Sequence, residues 1–199
     1  MYRKDRQSEP YTKQARREGY PARSVYKVKE LDEKFRLFKK GSRVLDLGAS
    51  PGSWLLYIAK RVGSKGFVLG VDTAPLKIKV PSNALFLQKS VMDFNAQDAL
   101  QYMGVCDAVV SDMAPFTSGV KGLDAERSLA LSFRALEIAR GTLKKGGSFV
   151  CKVLEGEGFR EFVKAARRDF LALELAKPRA SKKESRELYV VARGYGKKA

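Results

Sequence analysis

The stretch Val44-Leu-Asp-Leu-Gly-Ala-Ser-Pro-Gly-Ser-Trp54 opens as an apolar run, Val44 to Leu47, then turns through Gly48, Ala49, Ser50, Pro51 and Gly52. It leaves as a helical pattern carrying Trp54, Leu55, Ile58 and Ala59. A buried strand, a glycine turn and a helix in that order make a ligand site of the nucleotide type. Glycine lets backbone approach a ligand closely, and a helix start leaves N–H groups without intrahelical partners. Pro51 suits the first helical turn, where its missing N–H costs little. The plain alternative is a tight strand-to-helix turn with no ligand.

The spacing narrows the ligand. Gly48 and Gly52 do not make the Gly-x-Gly-x-x-Gly dinucleotide fingerprint, and Gly52 is followed by Ser53-Trp54 rather than the Lys-Ser/Thr of a phosphate loop. Asp46 lies inside the strand end. An acid there suits a ligand with a positive centre or an amino group better than a pyrophosphate, and S-adenosylmethionine carries both a sulfonium and an ammonium. Phe67-Val-Leu-Gly-Val-Asp72 reads as a second strand ending in an acid, the place where such folds meet ribose hydroxyls.

The chain has 199 residues, 44% of them hydrophobic, enough for one domain with a sizeable core. No apolar run approaches the roughly 18 residues of a membrane span, and no apolar signal region follows Tyr2-Arg-Lys-Asp-Arg6, so a cytoplasmic protein is expected. The net charge of +17 is unevenly placed. Residues 1–43 carry 14 basic against 6 acidic residues, residues 44–159 carry 13 against 11, and residues 160–199 carry 12 against 5. Two basic ends around a nearly neutral middle suggest a polyanion-binding surface on a catalytic core; a merely soluble basic surface or an anionic membrane contact is the other reading. There are two cysteines and no histidines. Cys106 and Cys151 fall at or in apolar strands and are expected to be buried and reduced. Without histidine, the usual general base and zinc ligand are missing; acid–base chemistry falls to Lys, Asp, Glu or Tyr, and no metal is assigned.

Residues 1–21 read as a basic, loosely ordered arm, and 22–199 as a single domain. A helix is expected over 22–38, where Val25, Val28, Leu31 and Phe35 recur at helical spacing. Strands then alternate with helices: strands at 67–71, 84–88, 107–112 and 146–153, and helices at 96–103, 124–142 and 158–170. Two closing strands, 171–176 and 187–192, are joined by the basic segment 177–186. The alternation predicts a parallel sheet covered on both faces. The last two strands, too close for a helix between them, should pair antiparallel at one edge. Ligands in such sheets sit beyond the strand C-termini, which puts Asp46, Asp72, Asp112 and Lys152 on one rim. Lys152 lies within Phe149-Val-Cys-Lys-Val153, where a lysine is costly unless paired or functional.

Five short motifs, taken in order, carry a resemblance: Ala22-Arg-Ser-Val-Tyr-Lys27, Asp46-Leu-Gly-Ala-Ser-Pro-Gly-Ser-Trp54, Ser111-Asp-Met-Ala-Pro115, Phe149-Val-Cys-Lys152 and Ser185-Arg-Glu187. Together they resemble the FtsJ family of S-adenosylmethionine-dependent ribosomal RNA 2′-O-methyltransferases over nearly the whole chain. The resemblance implies a Rossmann-like class I methyltransferase fold with a mostly parallel seven-stranded sheet and an antiparallel last strand. It implies S-adenosylmethionine as cofactor, a uridine ribose of large-subunit ribosomal RNA as substrate, and a catalytic tetrad of Lys27, Asp112, Lys152 and Glu187. Its cofactor residues fall on Gly52, Trp54, Asp72 and Asp112; Asp46, Gly48 and Pro51 join them from the turn itself. Two positions depart from the family. Leu87-Gln-Lys-Ser90 places Ser90 where an acid commonly meets the adenine, with Asp93 three residues on, so Ser90, Asp93 or backbone takes that role. Phe116 replaces a polar residue after Ala-Pro.

The tetrad acids and Lys27 pull on Lys152 in opposite directions, so Lys152 reads either as a base for the hydroxyl or as a group that steers it. Tyr20 and Tyr26 are candidates for stacking on bases, or for the core. Three other functions compete: a tRNA or cap ribose methyltransferase, a non-catalytic ribosome-assembly protein, and a NAD-dependent dehydrogenase. The basic surface should repel a second copy, so a monomer is expected.

Overall fold

A computed structural model describes residues 9–115, 121–182 and 184–196. The elements run α1 (Glu9–Arg17), α2 (Val25–Phe35), β1 (Arg43–Leu47), α3 (Ser53–Val62), β2 (Phe67–Asp72), β3 (Ala84–Gln88), α4 (Ala96–Met103), β4 (Cys106–Ser111), α5 (Lys121–Thr142), β5 (Leu143–Leu154), α6 (Phe159–Asp169), β6 (Phe170–Ala176) and β7 (Glu187–Tyr195). The strands form one sheet in the order β3-β2-β1-β4-β5-β7-β6. β1 to β5 pair in parallel, while β7 lies antiparallel between β5 and β6.

Strand alternation sends side chains to two cores. On one face Val44, Val68, Val110, Val150, Tyr189 and Val191 pack under Val25, Val28, Leu31, Trp54 and Ile58 from α2 and α3. On the other, Leu45, Leu69, Val109, Cys151 and Val190 pack under Ala99, Leu136, Ala139 and Phe162 from α4, α5 and α6. The same period carries Asp46, Asp72, Asp112 and Lys152 onto the α1–α3 face, since each stands two residues past Val44, Gly70, Val110 or Val150. The sheet direction reverses its helix cover at the β1/β4 junction, so the C-terminal ends of these strands open a crevice there.

Local signals set several ends. Asn95 caps α4 by accepting from the Asp98 amide at 2.9 Å, while the Asp98 side chain accepts from the Asn95 amide, a capping box. Three expectations change. Residues 9–17 are a helix rather than a loose arm: Ala15 and Tyr20 are buried in the α2/α3 core, which holds the segment down. Pro51 does not enter α3; Gly52 is the N-cap, with φ 109, and the Ser50–Pro51 peptide is cis. β4 ends at Ser111, leaving Asp112 in the following loop. Phe116 and residues 1–8 lie outside the described residues.

Cys106 and Cys151 are buried and free. Burial pushes both thiols up to about 12, so neither is a reactive nucleophile.

Candidate active site

The β1 turn supplies Gly48 and Ser50 to a cavity of about 780 Å³ at the strand ends. The ends of β2 and β3 add Asp72, Thr73, Ala74 and Ser90, Val91, Met92; the loop after β4 adds Asp112 to Pro115, and α5 adds Arg127, Ala130 and Leu131. Two carboxylates in a wall otherwise mostly apolar suit a ligand with hydroxyls, a positive centre and a flat apolar body. They oppose a pyrophosphate. This donor set fits S-adenosylmethionine and argues against a nicotinamide dinucleotide.

Asp72 is held for that position. Its Oδ2 accepts the Ser50 amide at 2.9 Å and its Oδ1 the Ala74 amide at 2.9 Å. The turn glycines are required by the packing of the protein itself. A Cβ on Gly48 would meet Met113 Cγ at 2.7 Å, and one on Gly52 would meet Ile78 at 2.7 Å, both at positive φ. Side chains at either place would push the Met113 and Ile78 segments outward.

Of the expected cofactor residues, Gly48, Asp72, Ser90 and Asp112 line the cavity. Asp93 is exposed and stands outside the wall. Trp54 lies behind it: its Nε1–H donates to the Ser24 carbonyl at 3.0 Å, and its ring stacks on Tyr189 at 5.9 Å. Ser53 completes this joint by accepting the Ala22 amide at 2.9 Å and donating to the Ala22 carbonyl at 3.0 Å. The start of α3 thus fixes the start of α2, and with it Lys27.

Asp46 is fully buried one residue inside β1, opposite Gly70 and Val110, and is not part of the wall. Neither carboxylate oxygen has a hydrogen-bond partner among the described residues. Burial, then the charges of Asp112 and Asp72, raise its pKa well above the ordinary value. A raised carboxyl pKa favours the folded state at low pH and penalises it as pH rises above the unfolded value of about 3.9. Unfolding by urea at pH 5 and pH 8 should therefore show wild type losing stability relative to Asp46→Asn as pH rises. An equal difference at both pH values would contradict the raised pKa.

The four expected catalytic residues come together. Lys27 Nζ pairs with Glu187 Oε1 at 2.7 Å. Lys152 Nζ donates to the Asp112 carbonyl at 2.7 Å and pairs with Asp112 Oδ1 at 3.0 Å, with the lysine side chain only 9% exposed. Asp112 belongs both to this array and to the cavity wall. Burial opposes its charge, but Lys152, Lys27 and the hydrogen bonds from Tyr189 and Lys152 outweigh that and hold its carboxyl below the ordinary range.

Tyr189 was not among the expected site residues. Its hydroxyl donates to Asp112 Oδ1 at 2.6 Å, and Lys27 Nζ stands 5.8 Å from its ring centroid. Burial, then the charges of Asp112 and Glu187, push its pKa well up, so it stays a donor. A signal existed: in β7, Glu187 and Tyr189 alternate onto one face, so an acid at 187 in the site brings residue 189 with it.

A mostly parallel α/β sheet with this crevice and a lysine–acid array defines the Rossmann-like enzyme class. The FtsJ-like methyltransferase model matches residues 20–195. A ribosomal RNA large subunit methyltransferase E from Desulfatibacillum aliphaticivorans is 44% identical over 189 residues, 94% of this chain and 90% of that protein. One of the same name from Nitratidesulfovibrio vulgaris (strain Miyazaki F) is 45% identical over 187 residues, 93% of each chain. The crystal structure of a Plasmodium falciparum protein described as a ribosomal RNA methyltransferase superposes with a TM-score of 0.79 at 24% identity, covering 90% of this chain and 100% of that one, and shares the fold. The chain belongs to the FtsJ-like methyltransferase family.

Proposed function

We propose that the enzyme transfers a methyl group from S-adenosylmethionine to a ribose 2′-hydroxyl of a uridine in large-subunit ribosomal RNA. One observation carries this: Asp112 faces the cavity while its carboxylate and carbonyl hold Lys152. The methyl donor and the lysine would thus meet across one residue. When bound, the cofactor supplies an electrophilic methyl on a sulfonium. Asp72 would hold its ribose hydroxyls, and Ser90 with Met92 would border its base.

Lys152 spends two contacts on Asp112, and an ammonium has three donor positions. Among the described residues the third meets no acceptor, which would leave it for the incoming hydroxyl. This geometry suits steering the hydroxyl into line and stabilising negative charge developing on it. Lys27, anchored by Glu187, would face the RNA beside it.

The basic elements adjoin this array. The Arg179 amide donates to Glu30 Oε2 of α2 at 2.7 Å, which brings the segment after β6 against α2. Arg16 and Arg17 of α1 are exposed. We assign residues 1–21, α2 and 177–186 to the RNA phosphates. Tyr20 is excluded from base stacking, being buried at 7% exposure; the Tyr26 hydroxyl donates to Glu18 at 3.0 Å. The names of the curated relatives favour the large ribosomal subunit over tRNA or a cap. No helix among the described residues is long and apolar enough to cross a membrane, and we assign the enzyme to the cytoplasm, as a monomer.

The test is methyl transfer from labelled S-adenosylmethionine to large subunits lacking the modification, beside free ribosomal RNA and tRNA. Label in one alkali-resistant ribosomal dinucleotide is expected. Label only in tRNA would keep the chemistry and replace the substrate. Cofactor binding with no label anywhere would favour a non-catalytic assembly protein.

A further inference from the structure

Ser90, Val91 and Met92 form the wall of the cavity beyond β3, and Val91 with the nearby Phe94 anchors this segment in the core. Met92 is 57% exposed, and Ser90 Oγ accepts the Met92 amide at 3.2 Å. Val91 and Phe94 are buried in the core, but they lie past Gln88, where the pairing of β3 ends. Both of their carbonyls are taken by one side chain. Arg134 Nε–H donates to the Val91 carbonyl at 3.2 Å and Nη2–H to the Phe94 carbonyl at 2.8 Å. Its Nη1 pairs with Glu137 Oε2 at 2.6 Å, and the side chain is only 18% exposed.

The position of Arg134 matters as much as its bonds. Arg127, Ala130 and Leu131 line the cavity from α5, and Arg134 follows on the same face one turn later. One helix face therefore makes one side of the cavity and also ties down the adjoining wall. Guanidinium geometry allows this, because its planar fork presents donors to two acceptors at once; a lysine offers a point charge without that fork. If Asp72 holds the ribose at the end of β2, the base would lie beyond it, toward β3, where Met92 and Leu131 line the cavity.

We propose that Arg134 is a positioning residue for the nucleoside end of the ligand. Through the Val91 and Phe94 carbonyls it fixes the 90–92 wall against α5, where this chain has Ser90 rather than an acid to hold the base directly. The inference rests on reading the cavity as the S-adenosylmethionine site.

The test is calorimetric titration of the full chain, as wild type, Arg134→Met and Arg134→Lys, with S-adenosylhomocysteine and with 5′-methylthioadenosine, which lacks the amino-acid end. Arg134→Met keeps the apolar stem and loses every donor; it should weaken both ligands about tenfold, the scale of one or two lost charged hydrogen bonds. Arg134→Lys can reach one carbonyl and should fall between, which also serves if the methionine variant does not fold. A lower melting temperature with unchanged affinity would make Arg134 merely structural and overturn the proposal. A loss confined to S-adenosylhomocysteine would move the effect to the amino-acid end and overturn it as well. Failure of wild type to bind S-adenosylhomocysteine would sink the cofactor reading itself. Wild-type binding with Arg134→Met unchanged would sink only the role of Arg134.

Discussion

Replacing Lys152 with alanine should cut methyl transfer about a thousandfold, the scale of a positioned proton-handling or charge-stabilising group, while S-adenosylhomocysteine still binds within a few-fold. The separation follows from geometry. Lys152 Nζ touches Asp112 but does not line the cavity, so the ligand loses little when it goes. On the proposed mechanism its remaining donor would face the hydroxyl to be methylated, so the transition state would lose much. Single-turnover rates and calorimetry on the same preparation separate the two effects. Near-normal turnover in Lys152→Ala would remove the lysine from the mechanism. Lys152→Arg then distinguishes its possible roles. A guanidinium does not deprotonate, so a base would be lost altogether, whereas a steering and charge-stabilising group would keep a measurable fraction of the rate.

Asp112→Asn should fail on both counts and lose stability too. Asp112 is the common wall of the cavity and the lysine array, so cofactor binding and turnover should fall together. The variant also leaves Lys152, 9% exposed, without its carboxylate, and removes the charge that Tyr189 hydrogen-bonds. Breaking one side of a buried pair costs about 3 to 5 kcal/mol. Relief of Asp46, whose own ionisation Asp112 opposes, offsets part of that, so a net loss of about 3 kcal/mol is expected.

The sign with pH is fixed by the depressed carboxyl of Asp112. Its stabilisation is fully present above the unfolded value of about 3.9 and is lost as pH falls through the lower folded value. The stability gap between wild type and Asp112→Asn in urea should therefore shrink as pH falls from 5 toward 3. A gap that stays constant down to pH 3 would mean that the charge of Asp112 contributes nothing to the fold.

Apolar runs and helical spacing were enough to place seven strands and the helices from α2 to α6 within a few residues, because the central strands are buried on both faces and each helix buries an apolar stripe. β3 and α4 were read with their observed bounds, and the antiparallel pairing of β6 with β7 followed from the short connection between them. Asp112 and Lys152 were legible as polar residues at a strand end and inside an apolar run, whereas Lys27, on α2, and Glu187 were singled out only by the family resemblance. What the chain could not show by itself was depth and partnership. Asp46 and Asp72 look alike in sequence, each an acid closing an apolar strand. Only the register, with Asp46 between Gly70 and Val110, buries the first and leaves the second at the cavity. Trp54 and Tyr189 meet only because α3 and β7 pack on one face, and Arg134 reaches Val91 and Phe94 across some forty residues of chain. Local sequence sets periodicity and propensity over a few residues. Which polar group is desolvated, and which side chain completes it, depends on segments far apart in the chain, and those relations exist only once the sheet is assembled.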